Sequence, residues 1–183
     1  MPLTNYLNDI QQLFSNYKKL AEKAMAQIGD DVFFRLPDER SNSIAITVKH
    51  MAGNMRSRWT DFLTSDGEKQ DRNRDYEFVL VDGDTRENLM IAWEGGWKTL
   101  FDALNPLNPD DLSRTILIRS KPHTVIEAIN RQLTHYAYHV GQIVYLARHW
   151  SEGWESLSIP KGESDEFNRK KRGKSDSSNS NTV

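Results

Sequence analysis

At 183 residues, with 37% hydrophobic content and no internal repeat, the chain is long enough for one sizeable core and too short for two. It has no cysteine, which excludes disulfides, thiolate metal sites and a cysteine nucleophile, and leaves His, Asp and Glu as ligands for a transition metal. A net charge of −2 offers nucleic acid no basic bias, no run approaches the roughly 18 apolar residues of a membrane span, and the polar, amphipathic MPLTNYLNDI is unlike a signal peptide; a cytoplasmic protein is expected.

From Leu3 to Ile28 the apolar residues recur at i, i+3, i+4, i+7, the pattern of a long amphipathic helix. Gly29 and Asp30-Asp31 end it, and VFFRLPDERSNS reads as a connection in which Asn42 or Ser43 can cap the next helix. That second helix is predicted from Ile44 to Leu63, buried along Ile44, Val48, Met51, Met55, Trp59 and Phe62. Its β-branched start could pass for a strand, but the stripe runs unbroken for five turns. Residues 64–83 are dense in charge and turn formers and end in a β-like run, Phe78 to Val81. They are long for a bare loop, which marks them as functional, as a crossover, or as both. Asp84 to Glu87 has the form of a capping box for a third helix along Leu89, Trp93, Trp97, Leu100, Phe101 and Leu104. Gly95-Gly96 within it is a place where another backbone comes close. RTILIR, residues 114–119, alternates with period two and predicts a short hairpin or added strand, with 78–81 as a candidate partner. A fourth helix is predicted from about Thr124 to Trp150, with Pro122 near its start. The boundary of the folded domain is placed at residue 160. Residues 161–183 are read as a disordered polar tail whose RKKRGK is solvated rather than a nucleic-acid arm.

Four amphipathic helices with one long crossover between the second and third make an all-α four-helix bundle, with a short β-hairpin before the fourth helix. The chemistry concentrates in RQLTHYAYHVGQIVYLARHW. His135 and His139 fall about 40° apart on one face and one turn apart along the axis, a placement from which two imidazoles reach one cation. Of the remaining histidines, only His50 lies mid-helix beside an apolar stripe. Three neutral imidazoles with one open position form the set that zinc uses to activate water or bind a ligand.

SIAITVKHMAGNMRSRWTDFLTSDGEK around His50, followed by INRQLTHYAYHVGQIVYLARHW, resembles the DinB/YfiT-like superfamily over roughly residues 3–160. The resemblance implies a four-helix bundle holding a divalent metal, zinc or nickel, on His50, His135 and His139. Relatives of that superfamily include thiol S-transferases using low-molecular-weight bacterial thiols and thiol-dependent isomerases; the resemblance does not supply a substrate, and a small molecule is the expectation. Tyr136 stands where a zincin would carry its glutamate, which disfavours a protease. Asn54, Arg56, Ser57 and Gln142 are candidates to support the ligands or touch substrate. Arg56 and Arg58 could orient an anionic substrate, and Asp61, Asp66, Glu68 and Glu127 are the carboxylates to examine as base or support.

Two readings share these ligands. In one, the metal makes a thiol or water nucleophilic for a transferase-like or hydrolase-like reaction. In the other, the three histidines close a non-catalytic, metal-stabilised bundle or stress-related binding protein. A metal-free dimerising scaffold, with the histidines as ordinary polar core residues, is a third. Trp93, Trp97, Trp150 and Trp154 exceed what one small core readily absorbs, so a homodimer is expected.

Overall fold

A computed structural model describes residues 2–179 and divides the chain into two units, Met1–Glu152 and Gly153–Val183. In the first unit, α1 (Pro2–Met25), α2 (Asp30–Phe34), α3 (Ile44–Trp59), α4 (Arg86–Leu104) and α5 (Val125–Trp150) are joined by connections that include a hairpin, β1 (Thr115–Ile118) and β2 (Lys121–Thr124). The second unit carries α6 (Ser164–Asn179). The described residues are thus mostly helical, with one two-stranded antiparallel sheet. No helix among them is long and apolar enough to cross a membrane.

The β-branched start of α3 is helical because Ser43 Oγ accepts the Ile46 N–H at 3.1 Å, capping it, and because a strand would turn half of the stripe outward. Ile44, Val48, Met51 and Met55 are fully buried, and Trp59 nearly so. The helix stops at Trp59, short of Leu63, where Thr60 turns extended and Asp61 takes a left-handed φ of 48°. At α4 the cap is Thr85, accepting from Asn88 N at 3.2 Å, one residue later than the anticipated box. Asp84 is occupied elsewhere, by Lys49 Nζ at 2.6 Å and Val81 N at 2.9 Å. A complete box opens α5: Thr124 Oγ1 accepts from Glu127 N, and Glu127 Oε2 accepts from Thr124 N.

Helix α3 packs along α4, α1 along α5, and α3 also meets α5. Gly96 permits the first contact, since a Cβ there would lie 2.9 Å from Met55 Cε and 3.3 Å from Ala52 Cα; Gly95 has nothing within 4 Å. That approach seats Trp93 and Trp97 wholly inside the core, edge-on to each other at 5.5 Å. Two of the four tryptophans counted as surplus are therefore core residues, and a third, Trp150, is half-buried with Arg35 over its ring at 4.9 Å.

Other expectations are corrected. Residues read as connection form α2, which buries Val32 and Phe33. Residues 78–81 do not pair with the strand: a 3₁₀ turn spans Asp75–Phe78, and β1 pairs with β2 instead. Arg119 and Ser120, with φ of 54° and 60°, form a tight turn that supplies β1 with an adjacent partner. Pro122 consequently lies in β2 rather than in a first helical turn. The tail expected to be disordered is helical from Ser164. Its side chains through Arg172 are exposed, so local pairs such as Lys170–Glu166 at 2.7 Å support it rather than burial. Residues 180–183 of that tail lie outside the described residues.

Candidate metal centre

His50 comes from the middle of α3 and His135 and His139 from one face of α5, the two helices meeting where these side chains emerge. Their ligating nitrogens all lie within 4.8 Å of one another, so this group could hold a metal ion. His135 Nε2 is 3.4 Å from His50 Nε2 and 3.0 Å from His139 Nε2. Both separations are near the about 3.3 Å edge of a tetrahedron with Zn–N bonds of 2.0–2.1 Å. His50 and His139 are 4% and 7% exposed, and His135 is half-buried.

The outward nitrogens determine what the inward ones can do. His50 Nδ1 lies 2.8 Å from Glu77 Oε2 and His139 Nδ1 lies 2.8 Å from Gln142 Oε1, both acceptors, so each Nδ1 carries the proton. In the neutral form that can ligate a metal, each ring turns an Nε2 lone pair toward His135, whose Nε2 can carry one hydrogen at most. At least one buried lone pair in the trio is left without a donor, a deficit that a cation removes and ordinary side-chain hydrogen bonding does not. The donor set fits a divalent metal by this count.

Electrostatics favour the same state. Burial pushes the His135 imidazole down to about 3, with His139 and His50 adding to the effect. Burial pushes His139 down to about 4, against the hydrogen bond to Gln142 and reinforced by His50. Both rings are neutral, hence able to ligate, through the physiological range.

Support for His50 comes from the 60–85 connection. Burial opposes ionisation of Glu77, but His50 and Arg72 together hold it below the usual carboxylate range. Arg72 grips it with Nε on Oε1 at 2.8 Å and Nη2 on Oε2 at 2.9 Å. Carboxylate, imidazole and the point where the nitrogens converge thus form a chain that fixes ring orientation and raises the basicity of the ligating nitrogen. Gly53 admits the carboxylate: a Cβ there would stand 2.5 Å from Glu77 Oε1 and 2.8 Å from its Cδ. Phe78 stacks on His50 with centroids 4.6 Å apart. Sequence reasoning missed Glu77, Arg72 and Gly53. The one available signal was a glycine three residues after His50, where a neighbour can approach one turn from the ring.

The remaining candidates separate. Asn54 borders the cavity next to the trio, with its Oδ1 accepting from Tyr136 Oη at 3.0 Å, and Gln142 holds His139. Ser57 instead ties down the connection, donating to Gly67 O at 2.9 Å and accepting from Lys69 N at 3.2 Å. Arg56 is an exposed partner of Asp71 at 2.8 Å. Asp66 accepts the Arg119 and Ser120 N–H groups and pins the hairpin turn, Glu127 caps α5, and Glu68 pairs with Arg58 at 2.8 Å. Asp61 occupies the positive-φ turn after α3. A cavity of about 370 Å³ opens beside His50 and His135, walled by Asn54, Gln132, Thr134, Tyr138 and five arginines.

No curated protein matches this chain. The family model described as "Protein of unknown function (DUF1572)" matches residues 3–163, a span that contains all three histidines together with Glu77 and Arg72, and the chain belongs to that family.

Proposed function

We propose that the protein is a metal-dependent enzyme, a four-helix bundle of the DinB/YfiT-like kind formed by α1, α3, α4 and α5, in which His50, His135 and His139 hold one zinc or nickel ion. The observation that carries this reading is the convergence of three imidazole nitrogens at the wall of a cavity, with one more lone pair than their hydrogens can satisfy when the rings are in the ligating form. When bound, the ion would lower the pKa of a thiol or water and so supply a nucleophile for a transferase-like or hydrolase-like reaction on a small molecule, with a low-molecular-weight thiol as the leading candidate. Glu77 orients His50 and Gln142 orients His139, each keeping the proton on Nδ1. Asn54, whose Oδ1 accepts from Tyr136, lines the cavity. The protein acts in the cytoplasm as a homodimer in this reading, and Tyr138 and Tyr145 of α5 are among its exposed large apolar side chains.

Metal analysis of untagged protein purified without a nickel column, followed by a thiol-transfer screen, tests the proposal. About one divalent ion per chain and turnover lost in His139→Ala with helical circular dichroism retained are expected. The absence of a bound ion overturns it. The non-catalytic alternative predicts that chelation melts the domain, whereas a core with its own buried aromatics should survive chelation with its fold intact.

A further inference from the structure

Arg58, Arg72, Arg74, Arg119 and Arg131 all line the cavity beside the histidines, and no carboxylate lines it among the described residues. Glu68 and Glu77 lie behind that wall. Glu68 accepts from Arg58 at 2.8 Å and from Arg72 and Arg119 at 3.2 Å, and Glu77 takes the Arg72 fork. Five guanidiniums against three carboxylates, Glu68, Glu77 and the Asp66 that holds the Arg119–Ser120 turn, still leave a surplus of positive charge. Arg74, stacked over Phe78 at 5.0 Å, and Arg131 are both exposed at the cavity. Arg131 stands four residues before His135 on the same face of α5, about 6 Å along the axis by the helical rise.

Guanidiniums exposed in a cavity that no carboxylate lines call for an anionic complement. We infer that the cavity takes a small molecule bearing one or more oxyanions, carboxylate or phosphate, held by the arginine wall about one helical turn from the histidines. The inference deepens the proposed function by naming the substrate class, and rests on that reading only for where the reacting group lies.

Calorimetric titration of the full chain tests it, in zinc-loaded and EDTA-treated forms, with succinate, inorganic phosphate and uncharged succinamide as probes. Succinate or phosphate should bind both forms at low salt while succinamide does not, and whichever anion binds identifies the oxyanion. The doubly substituted Arg74→Gln, Arg131→Gln chain, altered only at exposed positions, should weaken anion binding about tenfold or more with zinc content and melting temperature unchanged. Three results overturn the inference: no anion binding at millimolar concentration, equal binding of succinamide, or anion binding confined to the zinc form and indifferent to the two arginines. The last leaves the metal site standing. Anion binding by a chain that takes up no zinc does the reverse, retaining the arginine wall and removing the metal reading.

Discussion

Helices α3 and α5 bury two polar clusters side by side, and the two are satisfied in opposite ways. In the first, Trp59 Nε1 donates to Tyr136 Oη at 3.0 Å and the Tyr136 hydroxyl donates to Asn54 Oδ1 at 3.0 Å, so the indole N–H and the phenol O–H each have an acceptor within the protein. In the second, one residue away along α5, His50 and His139 have their outward nitrogens satisfied and their inward lone pairs aimed at a third imidazole that cannot serve both. A closed cluster stabilises a core. One whose acceptors outnumber its donors at a common point is complete only with a ligand.

Removing the acceptors should break that contrast most visibly. The double substitution His135→Ala, His139→Ala should abolish stoichiometric zinc binding in equilibrium dialysis, two of three ligands being gone, and leave helical circular dichroism in place. Retained binding would place the ion elsewhere.

Gly53→Ala acts one step further out. Its Cβ would displace the Glu77 carboxylate from His50, and loss of such a partner lowers metal affinity by about 10–100-fold. Competition with a chelating dye measures this, and unchanged affinity would make Glu77 a bystander.

Tyr136→Phe is the complementary test. It leaves the Trp59 N–H and the Asn54 carbonyl buried without a partner, so unfolding free energy should fall by about 1–3 kcal/mol in urea. Metal stoichiometry should stay at the wild-type value; a joint loss of both would show that the clusters are one network.

The clusters should also differ in their response to acid. In the metal-free protein His139 and His135 resist protonation down to about 4 and about 3, whereas the unfolded chain takes up those protons near 6.5. Below 6.5 the unfolded state therefore binds more protons, and stability should decline as pH falls. Between about 6.5 and 4.5 the decline belongs to these rings, before the carboxylates of Glu68 and Glu77 contribute. A urea-midpoint scan should show this slope in Tyr136→Phe and a flatter one in the histidine double variant. The smallest effect expected is from deleting residues 163–183, whose side chains are exposed through Arg172: melting temperature and zinc content should not move.

What the sequence determined by itself is what depends on neighbours a few residues away. Periodicity placed the long helices, the cap at Ser43 bounded α3, and the i,i+4 spacing put His135 and His139 on one face, because helix geometry converts local spacing into position. The Asp84 box failed by one residue because Lys49, distant in sequence, claims that carboxylate. Residues 78–81 found no strand partner because the turn at Arg119-Ser120 offered β1 a nearer one. The tryptophans looked surplus until Gly96 brought α4 onto α3 and made room for two of them in the core. Glu77 reaches His50 across 27 residues of chain, and five arginines from α3, the following connection, the hairpin turn and α5 share one cavity. Such connections carry no period from which to read a side chain's destination, and only packing decides which distant charges are brought together and which are kept from water.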